Sequence, residues 1–478
     1  MTAVLTPPET APQAHRDPNV RRWLAAYTSS MLGDNVYYLA LSWAAVRAGT
    51  PAQAGLVMSA SALPRAVLML GGGVVADRFG PRRVVIGSDA VRCAAVLAVA
   101  ALLSLTRPGL WPLALLALVF GTVDAVFMPA VGALPARLTE KDQLARVQGM
   151  RGLAIRLSSV VGAPLGGLGV ALGGAAAAFA LAGLFIAVSV PLLLSVRIRD
   201  LPTGRTPGQP GTALGDTSEA PGAAWGDTEV PGAAWRDTSE APGTARSDAP
   251  AAPGAARDDR SVASGAARDD TFGATGTVWS DLRDGLRHIR RHRVLAPLML
   301  VIALGDLGFV GPLNVVLTLL ADHRGWGASG MGWVLAGFGA GAGAASLLLT
   351  VRGRLPRAGL VTGCTCAAGS VAVGALAFVS SLAAAVGTAL LVGLLAGLSG
   401  ALCGALLQTQ SDPARLGRVT AASSLISLGV TPLSMPVAAA AIGAWGLGPV
   451  YVVSAAVCGL GGLVALVVPA LRRAELPG

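Results

Sequence analysis

A chain of 478 residues with 53% hydrophobic and only 13% charged residues, and a mean hydropathy of +0.63, falls outside the soluble globular class, where about a quarter of residues are charged. Its net charge of +10 does not indicate nucleic acid, because the arginines sit in the gaps between apolar runs. Those runs are about 20 residues long, enough to cross a bilayer core, and they lack the alternation of a β-barrel.

Residues 1–20, rich in Pro, Thr and Ala, have no short apolar core of a cleaved leader and are read as a cytoplasmic tail. Six predicted spans follow, near 21–47, 52–76, 83–105, 109–133, 147–172 and 174–196, making an N-terminal six-helix bundle over 21–196. Residues 197–278 repeat an 11-residue theme: GDTSEAPGAAW ends at Trp225 and RDTSEAPGTAR at Arg246. Pro-Gly in each clear copy points to a disordered cytoplasmic linker. In residues 279–293, Trp279, Leu282, Leu286 and Ile289 share one face with arginines opposite, which predicts an amphipathic interfacial helix. Six more spans, near 294–320, 328–351, 358–380, 383–408, 417–444 and 447–470, form a C-terminal bundle over 294–471, before a tail at 472–478. The fold class is therefore all-α, membrane-embedded, with twelve helices in two six-helix halves.

Arginines cluster in alternate gaps, among them Arg21, Arg82, Arg83, Arg137, Arg146, Arg352 and Arg472, against only Arg47, Arg107 and Arg324 in the others. The positive-inside rule then places both termini in the cytoplasm. The halves also echo each other. LGDNVYYLAL starts at Leu32 and LGDLGFVGPL at Leu304, and Pro-Ala-Arg-Leu occurs at Pro135 and again at Pro413. Duplicated halves are a transporter signature, with the substrate site between them.

Counting about 1.5 Å per residue, Asp34, Arg65, Arg92, Arg156 and Asp306 fall near mid-depth, and Asp124 and Asp89 lie nearer the cytoplasm. Charges at that depth are costly and should face the bundle interior. Arg65, Asp89, Arg92 and Arg156 read as a buried charge network, with Asp89 and Arg92 three residues apart on one helix face; the alternative of a functional role stays open for each. Asp34 and Asp306 occupy matching positions that line the expected central cavity, and Asp306 has no base in its own half. Asp306, then Asp34 and Asp124, are the proton-coupling candidates. Asn35, Tyr38, Phe127, Asn314 and Gln408 are candidates for the wall of a substrate cavity. All five cysteines fall in apolar segments and read as reduced core residues. Cys364-x-Cys366 has no His or acid beside it, so no metal is expected. GAGAGA at Gly339–Ala344 lacks the Gly-Lys-Ser/Thr of a P-loop. No cofactor and no catalytic constellation is expected.

Between spans two and three lies GGGVVADRFGPRR, Gly71–Arg83. Gly80 suits the positive-φ end of one helix and Pro81 the start of the next, while Gly72 and Gly73 admit a close neighbour. Asp77 stands on the side that favours cations, so it needs a partner: an arginine or a helix N-terminus.

Here the pattern becomes specific. Gly73-x-x-Ala76-Asp77-Arg78-x-Gly80-x-Arg82 resembles the loop signature of the major facilitator superfamily. Gly162-Ala163-Pro164-x-Gly166-Gly167 is similar to the glycine-proline motif of its exporters. SDAVRCA from Ser88, PAVGALPARL from Pro129, and the stretch from Leu144 to Gly167 resemble the bacterial branch of enterobactin-type siderophore exporters and macrolide efflux proteins. The resemblance implies that Asp77 latches the cytoplasmic side against an arginine and the start of the eleventh helix, near Gly417 and Arg418. It further implies export. Pro81 departs from the family's usual Arg or Lys, and Val351–Arg357 keeps the bases of a second copy but has no acid.

The expectation is a proton-coupled antiporter exporting a hydrophobic or amphiphilic small molecule, a drug, siderophore or secondary metabolite. It would sit as a monomer in a bacterial-type inner membrane, with substrate, protons and lipid as partners and no nucleic acid. A proton-coupled importer on the same fold and a non-transporting sensor or scaffold are the alternatives.

Overall fold

The computed structural model describes residues 16–106, 109–139, 143–196, 287, 289–352, 357–411 and 416–475. The linker and its repeats, and Trp279, Leu282 and Leu286 of the predicted interfacial helix, lie outside the described residues; Ile289 is inside and buried.

Local chemistry fixes the helix ends. Helix α1 (Pro18–Ala48) begins where the Asp17 side chain accepts from Asn19 N at 2.8 Å, and α2 (Pro51–Phe79) where Thr50 and Gln53 cap each other reciprocally. Gly80, at φ 82°, both ends α2 and starts α3 (Pro81–Leu105), whose first residue is a proline with no N–H to satisfy. Next come α4 (Trp111–Ala133) and α5 (Pro135–Leu138), a short helix at the predicted Pro-Ala-Arg-Leu turn.

Helix α6 (Leu144–Leu194) has 51 residues. Straight, it would be about 75 Å long, more than twice a bilayer core. It instead folds back at Gly173 and Gly174, the latter at φ 71°, ψ −171°, a conformation open only to glycine. Its two arms are the fifth and sixth crossings.

The seventh crossing is α7 (Leu295–Gly311), a π-helical turn (Pro312–Val316) and α8 (Leu317–His323). Pro312 cannot donate to the helical ladder, and the π turn accommodates the missing bond. Then follow α9 (Gly327–Arg352), α10 (Ala358–Ala375), α11 (Leu382–Thr409), α12 (Leu416–Trp445), α13 (Leu447–Val467) and the short α14 (Pro469–Arg472). Among the described residues, nine helices are long and apolar enough to cross a membrane; adding α1 and α2 and counting α6 as two arms gives twelve crossings.

The crossings alternate in direction, so both chain ends lie at one end of the bundle, here called the terminal end. Hydrophobic packing is uneven along its length. At the far end a single buried core joins the halves, with Leu39, Tyr37 and Phe120 of the first half continuous with Val315, Met331 and Met435 of the second. Toward the terminal end the halves keep separate cores, one around Trp23, Val85 and Phe127 and one around Leu298, Leu406 and Val419. The halves are clamped at the far end and parted at the terminal end.

Candidate substrate cavity and charged sites

Three helices bring their mid-depth charges to one point. Helix α3 presents Asp89 and Arg92 one turn apart on the same face, α1 contributes Asp34 and α4 contributes Asp124. The guanidinium of Arg92 is fully buried. Its Nη1 donates to both oxygens of Asp34 at 3.0 and 2.9 Å and to Asp124 Oδ1 at 3.2 Å. Its Nη2 donates to Asp89 Oδ1 and, at 3.1 Å, to Ser30 Oγ. Asp89 also accepts from Ser30 at 3.0 Å and Ser189 at 2.5 Å, while Asp124 accepts from Tyr38 Oη at 3.2 Å and lies 3.9 Å from Arg65. The Arg92 guanidinium stacks on the Phe127 ring, 4.0 Å from its centroid. Its Nε has no hydrogen-bond partner among the described residues, but a buried charge is tolerable only when paired in this way.

These contacts revise several expectations. Phe127 is a buried floor beneath Arg92, 1% exposed, and not a cavity wall. Asp34 is buried against Arg92 and does not open on the cavities described below. Arg156 is not part of the charge network: it is exposed and makes no ion pair with a described residue. Arg65 is its outlying member.

Where the halves part, cavities open between them. One of about 640 Å³ is walled chiefly by the second half: Asp306 and Phe309 of α7, Phe338 of α9, Cys366 of α10 and Cys403 of α11, with Arg156 as its contribution from the first half. Asp306 receives a hydrogen bond from Ser427, and its Oδ2 is buried with no hydrogen-bond partner among the described residues. A second cavity of about 240 Å³ is lined by Asn35, Tyr38, Asn314 and again Arg156. A third, about 270 Å³, exposes Tyr38 and Arg65 opposite Asn314. Asn35 and Asn314 each turn their amide back to the carbonyl four residues earlier, Met31 O at 2.7 Å and Val310 O at 2.8 Å. Gln408 is exposed near the terminal end of α11 and lines none of these cavities.

The glycine-proline motif sits on the clamp. Gly162 and Gly166 pack α6 on Asn35 and Val36 of α1, and Gly167 packs it on the backbone of Ala328 at the start of α9. A side chain at Gly167 would collide with that backbone. Ser42 Oγ hydrogen-bonds Thr318 Oγ1, Ser59 donates to Pro432 O at 3.0 Å, and Arg47 pairs with Asp322 at 3.2 Å. All of these join the two halves at the far end.

In the loop motif, Gly72 lies against the Ala125 backbone, whereas Gly73 faces open space and permits no close approach of the described residues. Arg82 donates to Leu193 O at 3.4 Å and Leu194 O at 2.7 Å. It therefore caps the carbonyls that end α6, adding to the bond that Leu193 O already receives from Val196 N. Arg78 is exposed, its guanidinium 5.8 Å from the Phe79 ring centre. The Asp77 side chain, and those of Gly417 and Arg418, lie outside the described residues, so the predicted latch has no described contact.

Sequence reasoning missed the hub role of Arg92, the thiols of the large cavity and the far-end pairs. The shared depth of Asp34 and Arg92 was the signal for the first; Arg47 and Asp322, both in gaps at the same end, were the signal for the last.

A family model described as Major Facilitator Superfamily matches residues 23–427. No curated protein matches the sequence. Similar solved structures include the nucleoside transporter NupG, 10% identical with a TM-score of 0.64 over 94% of this chain and 100% of that one. A POT family transporter in complex with 5-aminolevulinic acid is 11% identical with a TM-score of 0.63 over 95% and 96% of the two chains. A bacterial homolog of the human lysosomal transporter Spinster, inward-facing and unoccupied, is 13% identical with a TM-score of 0.58 over 96% and 97%. At these identities the likeness is one of fold.

Proposed function

The chain belongs to the Major Facilitator Superfamily and is a secondary transporter, and from that premise we propose that it is a proton-coupled antiporter that exports a hydrophobic or amphiphilic small molecule. The observation that carries this reading is Asp306. It lines the cavity of about 640 Å³ between the halves, and its Oδ2 has no hydrogen-bond partner among the described residues. A carboxyl group so placed can be satisfied by a proton or by a cationic group of the cargo, but not by both. That exclusion is what antiport requires.

Direction rests on two further features. Arginines concentrated at the terminal end put that end in the cytoplasm by the positive-inside rule, in a bacterial-type inner membrane. The cavity then opens on the side from which an exporter loads. The glycine-proline motif at Gly162–Gly167, which resembles that of exporters, supports the same direction. Asp34 and Asp124 are second-rank carriers, since both already share Arg92. The protein works as a monomer, with Asp77 as a latch that closes the terminal end in the outward-facing state.

The test is substrate-induced proton release from inverted vesicles over a compound panel. Wild type should release protons with its substrates, and Asp306→Asn should lose at least about 10-fold of that release. Undiminished coupling in the variant would remove Asp306 as carrier; substrate uptake without proton movement would remove antiport.

A further inference from the structure

The large cavity holds two opposite charges that belong to different halves and do not meet. Arg156, on the first arm of α6, is exposed on the wall shared by the cavities of about 640 and 240 Å³. Other arginines at comparable depth have protein partners: Arg92 has three carboxylates, Arg65 has Asp124, and Arg151 lies over Tyr27. Arg156 has no ion pair among the described residues, and a guanidinium at this depth is costly to leave so. Across the same cavity stands Asp306, with an oxygen lacking a hydrogen-bond partner among the described residues. The rest of the wall is largely apolar, with Phe309 and Phe338 lining it beside the hydroxyls of Thr365, Ser370, Ser399 and Ser423.

We propose that the cargo is a zwitterionic amphiphile, its cationic amine received by Asp306, its anionic group by Arg156, and its apolar body by Phe309 and Phe338. A simple cation would leave the guanidinium unmatched, and a simple anion would leave the carboxylate unmatched. A molecule that carries both satisfies the site with no net charge transferred into it. Because the two receivers lie on opposite halves, bound cargo also bridges them. The amine arm rests on the antiport reading, in which amine and proton compete for Asp306; the Arg156 arm does not.

Native thiols report occupancy. Cys366, Cys403 and Cys458 line this cavity, while the exposed Cys364 does not line it and serves as an internal control. The full chain in lipid nanodiscs is treated with methyl methanethiosulfonate, and modification of each cysteine is followed by mass spectrometry. Two scaffolds serve as probes, each in matched forms: norfloxacin, its ethyl ester and its N-acetyl derivative; and 4'-(aminomethyl)biphenyl-4-carboxylic acid, its methyl ester and its N-acetyl derivative. The free zwitterion should slow modification of the three cavity thiols at concentrations about 10- to 100-fold lower than either blocked form, the worth of one charged hydrogen-bonded contact.

Arg156→Gln should erase the advantage of zwitterion over ester, Arg156→Lys should keep most of it, and Asp306→Asn should erase the advantage over the N-acetyl form. Arg156→Gln should keep the thermal midpoint of the unliganded protein, since the arginine has no ion pair to lose. Equal protection by a blocked form in wild type overturns the proposal. So does an advantage that persists in Arg156→Gln, or protection by no form of either scaffold at millimolar concentration. The assay needs no proton gradient. Zwitterion preference without proton release would keep this cargo class and reject antiport, and proton release driven by simple cations alone would do the reverse.

Discussion

The two halves handle the same carboxylate in opposite ways. Asp34 in α1 and Asp306 in α7 both follow Leu-Gly in the first helix of their half. Asp34 receives two hydrogen bonds from Arg92 and is buried. Asp306 borders a cavity of about 640 Å³ and keeps an oxygen without a hydrogen-bond partner among the described residues. The difference traces to the third helix of each half. Arg92-Cys93-Ala94-Ala95 of α3 has its counterpart in Thr365-Cys366-Ala367-Ala368 of α10. Where the first half has a guanidinium filling its interior, the second has a threonine that bonds its own helix, at Val361 O and Thr362 O, and leaves space. One half has used its intramembrane charge to build a rigid body; the other has kept its charge available.

The largest effect that tests this contrast is expected at Arg92. Replacing it with methionine keeps the bulk but strands Asp34, Asp89 and Asp124 in a buried site. Breaking a buried ion pair from one side costs about 3–5 kcal/mol, and here three carboxylates lose the same partner. Arg92→Met should therefore give little folded protein, seen as a collapsed monodisperse peak in detergent and a thermal midpoint lowered by many degrees. A variant of wild-type stability would mean that the cluster is not structural.

The reverse experiment installs the first half's solution in the second. Thr365 lines the Asp306 cavity, so Thr365→Arg places a guanidinium where one can reach that carboxylate. The variant should fold with an undiminished thermal midpoint and lose essentially all transport, because the cavity is filled and its carboxylate engaged. Retained transport would show that the open carboxylate of the second half is not what distinguishes it.

How much of this was legible in the sequence depends on the length scale of the signal. Twelve crossings follow from runs of apolar residues, which are local, and the fold-back at Gly173 and Gly174 falls where the spans predicted at 147–172 and 174–196 meet. Asp89 with Arg92 was legible because helical periodicity puts them on one face. That Arg92 also gathers Asp34 and Asp124 was not, because it depends on how α1, α3 and α4 rotate against each other, and rotation is set by packing spread over many small residues. Arg156 went wrong for the same reason: depth can be counted along a helix, but whether a side chain faces its own bundle or the gap between bundles cannot. The convergence of Cys366, Cys403 and Cys458 on one cavity was hidden in the same way.

A smaller effect concerns the second asymmetry between the halves. The last turn of α2 contains Asp77, whereas the counterpart stretch, Val351–Arg357, contains no acid. If only the first half carries a latch, Asp77→Asn should slow transport several-fold while insertion, yield and thermal midpoint stay as in wild type. Transport at the wild-type rate would return the motif to a basic turn shaped by Gly80 and Pro81.

The smallest effect belongs to the far-end clamp. Arg47 and Asp322 join the halves, but their side chains are 65% and 38% exposed, and pairs in that setting contribute only about 0.2–1 kcal/mol. The buried partners beside them matter more: Gly167 against the Ala328 backbone and Ser42 against Thr318 are shielded from water and salt. Arg47→Ala should thus leave the thermal midpoint within about a degree or two. Because the pair exists only when the far end is closed, its loss should still tilt the balance between states by up to about fivefold, the equivalent of 1 kcal/mol. Thiol modification at the terminal end offers a direct reading: Cys403, buried beside the terminal-end cavity, should react more slowly in Arg47→Ala as the closed-terminal state gains population. A faster reaction would mean that the pair belongs to the other state, and that the far end is held by its apolar core and glycine contacts without electrostatic help.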